Sequence, residues 1–310
     1  ENAKHGEVVG KKQFASFTEI PGTLDLAVIV TPAATVEAVM EECGVKKIPT
    51  VVVISAGFGE LGTEEAKARE KNLAVIAQKH GITLVGPNCL GILRPSIGMN
   101  ASFAKDVPPK GHIALLSQSG ALAVGMLDQA KALGMGYSLV VSMGNKAAMD
   151  ECDFLKMCAA DDETKVIGLY LESILDGKRF IEEARKISGN KRIVLIKSGT
   201  TEHGKKAVSS HTGALAGSDA AITAACEAAG ITRAETMEEF LDLLRVFAMQ
   251  PALLSSKVAV ITNAGGPGIL ATDEAEKRGL ELTSLSALRE SELKPKLPAA
   301  ASVFNPIDVL

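Results

Sequence analysis

One histidine, His211, stands in the run SSHTGALAGS (Ser209 to Ser218) among hydroxyls, glycines and alanines. The neutral imidazole ring is a nucleophile with a free nitrogen, and it changes charge near neutral pH. Most loop histidines are only solvated, but this segment is too small-sided to fill a core and suits a loop that moves or carries an anion. A nucleophilic imidazole also needs an acceptor for its other N–H. Glu172, at the carboxyl end of the run GLYLES, is placed to supply one. Without His211 it would read as an ordinary exposed strand-end carboxylate.

Two further stretches could handle a phosphoryl group. Ser117-Gln118-Ser119-Gly120 and Asn263-Ala264-Gly265-Gly266 each stand between an apolar run and a helical pattern. A helix N-terminus offers unpaired N–H groups and about half a positive charge, and a small-residue turn lets an anion approach it. The segments Ile113 to Gly134 and Val258 to Gly279 align without gaps at a constant offset of 145 residues, so that Gly120 falls on Gly265 and Asp128 on Asp273. Any two strand–turn–helix units look alike, and that bland reading stands beside the functional one of two equivalent phosphate-binding helix ends. With His211 they suggest a transiently phosphorylated imidazole whose phosphoryl group each helix end stabilises. A serine hydrolase is a poor competitor. A nucleophile elbow wants glycine two residues before and after its serine, whereas Ser117 has Leu115 and Ser119 there and Ser119 has Ser117 and Ala121.

The elements that must position these groups follow from periodicity. Leu24 to Val30, Val51 to Ile54 and Ile82 to Val85 read as strands, followed by Thr31-Pro32, by Ser55 to Gly59 and by Gly86 to Cys89, with helical patterns through Val36 to Cys43 and from Glu64 to Gly81. Val- and Ile-rich strands alternating with helices imply a parallel sheet covered on both faces, with ligands at the carboxyl ends of its strands. Lys105 to Lys110 reads as a linker. Strands at His112 to Leu116, Tyr137 to Ser142, Val166 to Leu171 and Ile193 to Ile196 then alternate with helices at Ala121 to Leu133, Phe180 to Ile187, Ser218 to Ala229 and after Thr236. Thr236 and Glu239 have the spacing of a capping box. Strand Val258 to Thr262, turn Asn263 to Gly268 and a helix to Arg278 start a third unit. The expected fold is α/β: a Rossmann-like domain over residues 1–108, a flavodoxin-like doubly wound parallel-sheet domain over 109–252, and the start of a second such domain over 253–310. The chain begins without Met in a loop pattern and ends on a strand just starting, so a fragment of something longer is expected.

Composition excludes whole classes of partner. The 310 residues carry 33 Lys and Arg against 37 Asp and Glu, for a net charge of −4, which offers no electrostatic footprint for nucleic acid. No apolar run approaches the ~20 residues of a spanning helix, and Glu1 to His5 is no signal peptide, so no membrane is expected and the location is cytoplasmic. Five cysteines without a C-x-x-C pair argue against disulfides and a zinc site, and no metal ligand is assigned to this chain.

GPNCLG, LLSQSGALA, LYLES, SSHTGALAGS, TNAGGPG and NPIDV resemble, in order, the motifs of the α subunit or α half of NDP-forming acyl-CoA synthetases, the ADP-forming acetyl-CoA synthetases related to succinyl-CoA synthetase. The resemblance spans essentially the whole chain. It implies interconversion of acyl-CoA, ADP (or GDP) and phosphate with free acid, CoA and NTP, through an acyl phosphate and a phosphohistidine on a swinging loop. It makes His211 the phosphorylated residue and Glu172 the glutamate that orients it. Ser117, Gln118, Ser119 and Gly120 match the turn opening one phosphate-stabilising helix, and Ala264, Gly265, Gly266 and Gly268 the other. CoA would meet Thr31, Pro32, Ser55, Gly57, Phe58, Asn88 and Cys89, with Lys4 near a CoA phosphate. Two departures stand: the family's first strand and glycine turn are missing, as is most of its third domain, so the Rossmann-like CoA-binding domain is N-terminally incomplete. The ATP-grasp part, which holds ADP or ATP (or GDP or GTP) with Mg, would come from a β subunit or a fused domain, giving a hetero-oligomer or a homo-oligomer of a fused chain. A small-molecule acyl substrate completes the set, its pocket expected near Gly86 to Gly91 and Ser142 to Asn145. The alternative is a non-catalytic CoA-binding or sensing module of a protein acetyltransferase-type fusion, in which an intact His211 and Glu172 would have no use.

Overall fold

The computed structural model describes residues 7, 8, 10–204, 206 and 219–310. Two compact units divide the chain at Gln250 and Pro251.

In the first unit a short antiparallel ladder, β1 (Glu7–Val8) with β2 (Lys11–Lys12), precedes a three-stranded parallel sheet. Its strands β3 (Leu26–Ile29), β4 (Thr50–Val53) and β5 (Thr83–Val85) lie in sequence order, joined by helices α1 (Ala33–Val45) and α2 (Glu64–His80). The expected cap of α2 is present: the Thr63 hydroxyl accepts the Ala66 N–H at 3.3 Å, and Gly81 ends the helix at φ +68°. Val36, Met40 and Cys43 of α1 and Leu73 and Ala77 of α2 recur at three- and four-residue spacing, and they seal this sheet's core with Val51, Val53 and Leu84.

The larger sheet has seven strands in the order β12-β11-β10-β8-β9-β6-β7. Its parallel part comprises β8 (Lys110–Ser117), β9 (Tyr137–Ser142), β10 (Val166–Leu171), β11 (Arg192–Lys197) and β12 (Thr232–Ala234). Helices α3 (Gly120–Ala130), α4 (Glu151–Ala160), α5 (Gly177–Ser188), α6 (Asp219–Ala229) and α7 (Met237–Met249) cover it. Alternation along β8 splits the core in two: Ala114 and Leu116 join Cys152, Phe154 and Phe180 on one face, and Ile113 and Leu115 join Phe240 and Leu244 on the other.

The sequence reading needs correction here. The second sheet is mixed, because β6 (Gly91–Arg94) and β7 (Met99–Ser102), both upstream of the linker at 105–110, form an antiparallel hairpin whose β6 pairs with β9 through Ile92 and Val141. Both strands are short and of mixed burial, so neither reads as a continuous apolar run. Helix α3 also stops at Ala130, with Gly134 left-handed beyond it. Only half of the Thr236 capping box forms, since Glu239 turns its carboxylate to the Glu235 N–H at 2.9 Å.

In the second unit the expected strand Val258 to Thr262 is broken into β13 (Lys257–Val258) and β14 (Ile261–Thr262). These pair in parallel with β15 (Glu281–Leu282) and β16 (Ile307–Asp308) respectively. Asn305 explains the interruption: its carboxamide accepts the Val260 N–H and donates to the carbonyls of Val258 and Thr283, each at 2.9 Å, replacing ladder bonds. Helix α8 (Gly265–Lys277) begins three residues earlier than the expected turn ends, and α9 (Ala287–Leu293) follows. Among the described residues no helix is long and apolar enough to cross a membrane.

Candidate active site

Parallel strands present their carboxyl ends along one edge. In the seven-stranded sheet that edge carries Ser117 to Gly120 after β8, Ser142 to Lys146 after β9, Glu172 to Leu175 after β10, and Lys197 and Ser198 at the end of β11. His211 lies outside the described residues, as does Lys4.

Glu172 is 7% exposed, and its main chain is held from both sides. The Gln118 carboxamide oxygen accepts the N–H groups of Glu172 at 2.6 Å and Ser173 at 2.9 Å. The Lys197 ammonium donates to the Glu172 carbonyl at 2.7 Å and to that of Ser198. Burial pushes Lys197 below the usual lysine range, while the nearby Glu172 carboxylate works against the shift. Glu172 thus stands on a fixed stretch of main chain with its carboxylate near a buried cation, and among the described residues none hydrogen-bonds its carboxylate oxygens. Gln118, named from the sequence as a phosphate-turn residue, points its side chain at the glutamate loop instead.

Ser117 shapes the turn. Its buried hydroxyl accepts the Ser119 N–H at 3.2 Å and donates to the Ser119 carbonyl at 2.7 Å. The Ser119 hydroxyl accepts the Leu122 N–H at 3.3 Å, which leaves Gly120 and Ala121 as the first-turn donors of α3. In the second unit, 145 residues on, Thr262 does the same to Ala264, accepting its N–H at 3.0 Å and donating to its carbonyl at 2.8 Å. Helices α3 and α8 start at the aligned glycines Gly120 and Gly265. The sequence repeat is therefore a structural repeat down to its hydroxyl clamp. It differs in one respect: Ala264 makes no side-chain cap, and Pro267, which has no N–H to cap, stands where α3 has Leu122, so Gly265 and Gly266 are the first-turn donors of α8.

The residues expected at CoA gather at the ends of β3, β4 and β5. Thr31 and Pro32 are exposed, the Ser55 hydroxyl donates to the Thr31 carbonyl, and the Asn88 N–H donates to the Ser55 carbonyl at 3.0 Å. Gly57 sits at φ +107°. Two side chains face away from any ligand. Phe58 is fully buried in the core of the small sheet, and Cys89, 4% exposed, donates its thiol to the Val53 carbonyl. Burial pushes the Cys89 thiol up to about 12. Only their main chain can line a site.

The sequence reading named Asn88 and Asn145 but not the contacts through which they join these loops, and it missed Glu60, Glu70, Lys146 and Glu151. The Asn145 amide nitrogen donates to Glu60 and to Glu70, each at 2.6 Å, and its oxygen accepts from Asn88 at 3.1 Å. Burial raises the Glu60 carboxyl, but the N–H groups of Gly57 and Phe58 and the Asn145 amide outweigh it and hold Glu60 below the usual range. Gly86 to Gly91 and Ser142 to Asn145 pack directly on each other, with the Leu90 N–H on the Ser142 hydroxyl at 3.0 Å and the Asn145 N–H on the Pro87 carbonyl at 2.9 Å. Lys146 and Glu151 form a buried ion pair at 2.7 Å beneath the glutamate loop. Nothing in the run GNKAAMDE marks these side chains as structural anchors.

Comparison with known proteins fits this arrangement. Residues 110–247 match the family model of the succinyl-CoA ligase like flavodoxin domain, and residues 2–95 that of a CoA binding domain. The α subunit of acetate–CoA ligase [ADP-forming] II from Pyrococcus furiosus is 44% identical over 309 residues, covering 100% of this chain and 67% of that protein. The chain belongs to the ADP-forming acetate–CoA ligase family. A second family member, acetate–CoA ligase [ADP-forming] from Methanocaldococcus jannaschii, is also 44% identical across the whole chain, which spans only 43% of it. The chain thus spans under half the length of that relative. Among solved structures of the family, the dinucleotide forming acetyl-coenzyme A synthetase 1 of Ca. Korarchaeum cryptofilum, in complex with phosphate and ADP, superposes with a TM-score of 0.89 at 36% identity, over 98% of this chain and 65% of that one. These relatives are ligases, which favours the synthetase reading over the sensing module.

Proposed function

We propose that this chain is the α part of an NDP-forming acyl-CoA synthetase, an acid–thiol ligase that interconverts acyl-CoA, NDP and phosphate with acid, CoA and NTP. The observation that carries the reading is the buried Glu172, its main chain held by Gln118 of the turn before α3 and by Lys197 and its carboxylate unpartnered among the described residues, in a member of a ligase family. CoA lies on the loops after β3, β4 and β5, through Thr31, Pro32, Ser55, Gly57 and Asn88 and the main chain at Phe58 and Cys89, with Lys4 at a CoA phosphate. In the direction of NTP synthesis, a phosphate oxygen attacks the thioester carbonyl, the C–S bond breaks, and CoA leaves as a thiolate. The acyl phosphate then gives its phosphoryl group to the neutral ring nitrogen of His211, and the carboxylate leaves as its P–O bond breaks. Glu172 accepts the other ring N–H, keeping the reacting nitrogen unprotonated and stabilising the charge that develops on the ring. The helix ends at Ser117 to Gly120 and at Ala264 to Gly268 each offer N–H donors to the phosphoryl group. Phosphohistidine finally transfers that group to NDP.

We assign NDP, NTP and Mg²⁺ to an ATP-grasp β subunit or fused domain, with three domains in the present chain at 1–108, 109–252 and 253–310 and an assembly of α and β parts in the cytoplasm. The full-length enzyme, given a panel of short acyl-CoAs with ADP or GDP and phosphate, should release free CoA and NTP in equal amounts. A panel that yields CoA without NTP would refute the ligase reading.

A further inference from the structure

The stretch that carries Glu172 is gripped by four side chains from three separate segments. Gln118 and Lys197 hold the Glu172 peptide as described. The other two are Lys146 and Glu151, only 2% and 0% exposed. The Lys146 ammonium donates to the Ser173 carbonyl at 2.9 Å and to the Ser173 hydroxyl at 3.4 Å, and the second oxygen of Glu151 accepts the Leu175 N–H at 3.0 Å. A buried ion pair is weak evidence for stability, because desolvation offsets much of its attraction. Here each charge directs its remaining hydrogen bonds to the main chain just beyond Glu172. Lys146 also takes a left-handed backbone, φ +61°, which a lysine keeps only where its surroundings over-determine it. Those surroundings are rigid: Asn145 is tied to Glu60, Glu70 and Asn88, and the Ala147 N–H donates to the Gly86 carbonyl at 3.1 Å.

We propose that Lys146, paired with Glu151, is a positioning residue for phosphoryl transfer: it fixes the loop that aims Glu172 at the histidine ring. The proposal rests on the orienting role given to Glu172. A carboxylate that must meet one ring N–H is sensitive to placement, and a shift of about 1 Å costs on the order of 100-fold in rate.

The test uses the full-length enzyme. Lys146→Met alone strands a buried carboxylate and risks unfolding, so the informative variant is Lys146→Met/Glu151→Leu, which leaves a neutral, volume-matched core. Its thermal melt should stay cooperative, its KM for CoA should stay within about twofold of the parent, and its rate of phosphoprotein formation should fall about 10- to 100-fold. Combined with Glu172→Gln, the double replacement should add little further loss, since residues that act through one group are non-additive. A folded Lys146→Met/Glu151→Leu enzyme with the parental phosphorylation rate, or losses that multiply in the combined variant, would overturn the proposal. Glu172→Gln run alone separates the layers: a parental rate there removes the role of Glu172 itself, whereas a slow Glu172→Gln beside a fast Lys146→Met/Glu151→Leu removes only that of Lys146.

Discussion

Gly144 decides whether the loops after β5 and β9 can close on each other. Its φ is +59°, and a Cβ added there would lie 2.1 Å from the Pro87 carbonyl oxygen and 2.8 Å from that of Asn88. Both contacts are with backbone, so nothing nearby can rotate away. Gly144→Ala should therefore cost about 2–4 kcal/mol, as left-handed strain and overpacking add, and chemical denaturation would show it as a lowered midpoint. The same residues show what spacing reveals and what it hides. Thr31, Ser55, Asn88 and Glu172 are legible in the sequence because each follows an apolar run directly or, for Asn88, within three residues, and parallel strands put such residues at one edge. Whether a side chain there turns outward was not legible. Phe58 and Cys89 turn into the core, and Gln118 turns to the glutamate loop. Lys146 and Glu151 were invisible for the opposite reason, since charged side chains are read as surface until a structure shows them paired inside.

At the level of elements, the edge hairpin β6–β7 is what the pattern reading lacked, and one ion pair pins it. Arg94, the last residue of β6, meets Asp161 beyond the end of α4 through two hydrogen bonds of 2.7 and 2.8 Å, and Thr164 adds its hydroxyl at 2.6 Å. The Arg94 hydrogen bond leads the shift that lowers the Asp161 carboxyl to about 2, against the opposing effect of burial. A carboxyl depressed in the folded state favours folding above its unfolded pKa, near 4, and loses that contribution as pH falls toward 2. Removing the pair with Arg94→Met should thus destabilise by about 1 kcal/mol at pH 7, after allowance for solvent screening. The difference from the parent should shrink between about pH 4 and pH 2. Melting curves at a series of pH values would show it, and a gap that stays constant would exclude this linkage. The parallel strands β8 to β11 were legible because they are buried on both faces and read as continuous apolar runs. The β6–β7 hairpin is four residues a side with mixed burial, and the β13–β14 break depends on Asn305, more than forty residues downstream.

Over the whole chain, the repeat at a 145-residue offset joins the two units in chemistry. Each presents a glycine-started helix behind a hydroxyl that clamps the residue two places on, Ser117 on Ser119 and Thr262 on Ala264. In the proposed reaction two such ends suit an anion that is handed on, and the segment around His211 is its proposed carrier. The carrier is the centre of the account, and phosphorylation of that one residue tests it most directly. The full-length enzyme incubated with ³²P-labelled ATP, or with labelled acyl phosphate, should become a phosphoprotein whose label is lost in acid and kept in base. His211→Ala should abolish that label while CoA still binds; an acid-labile label of parental yield in His211→Ala would contradict the account.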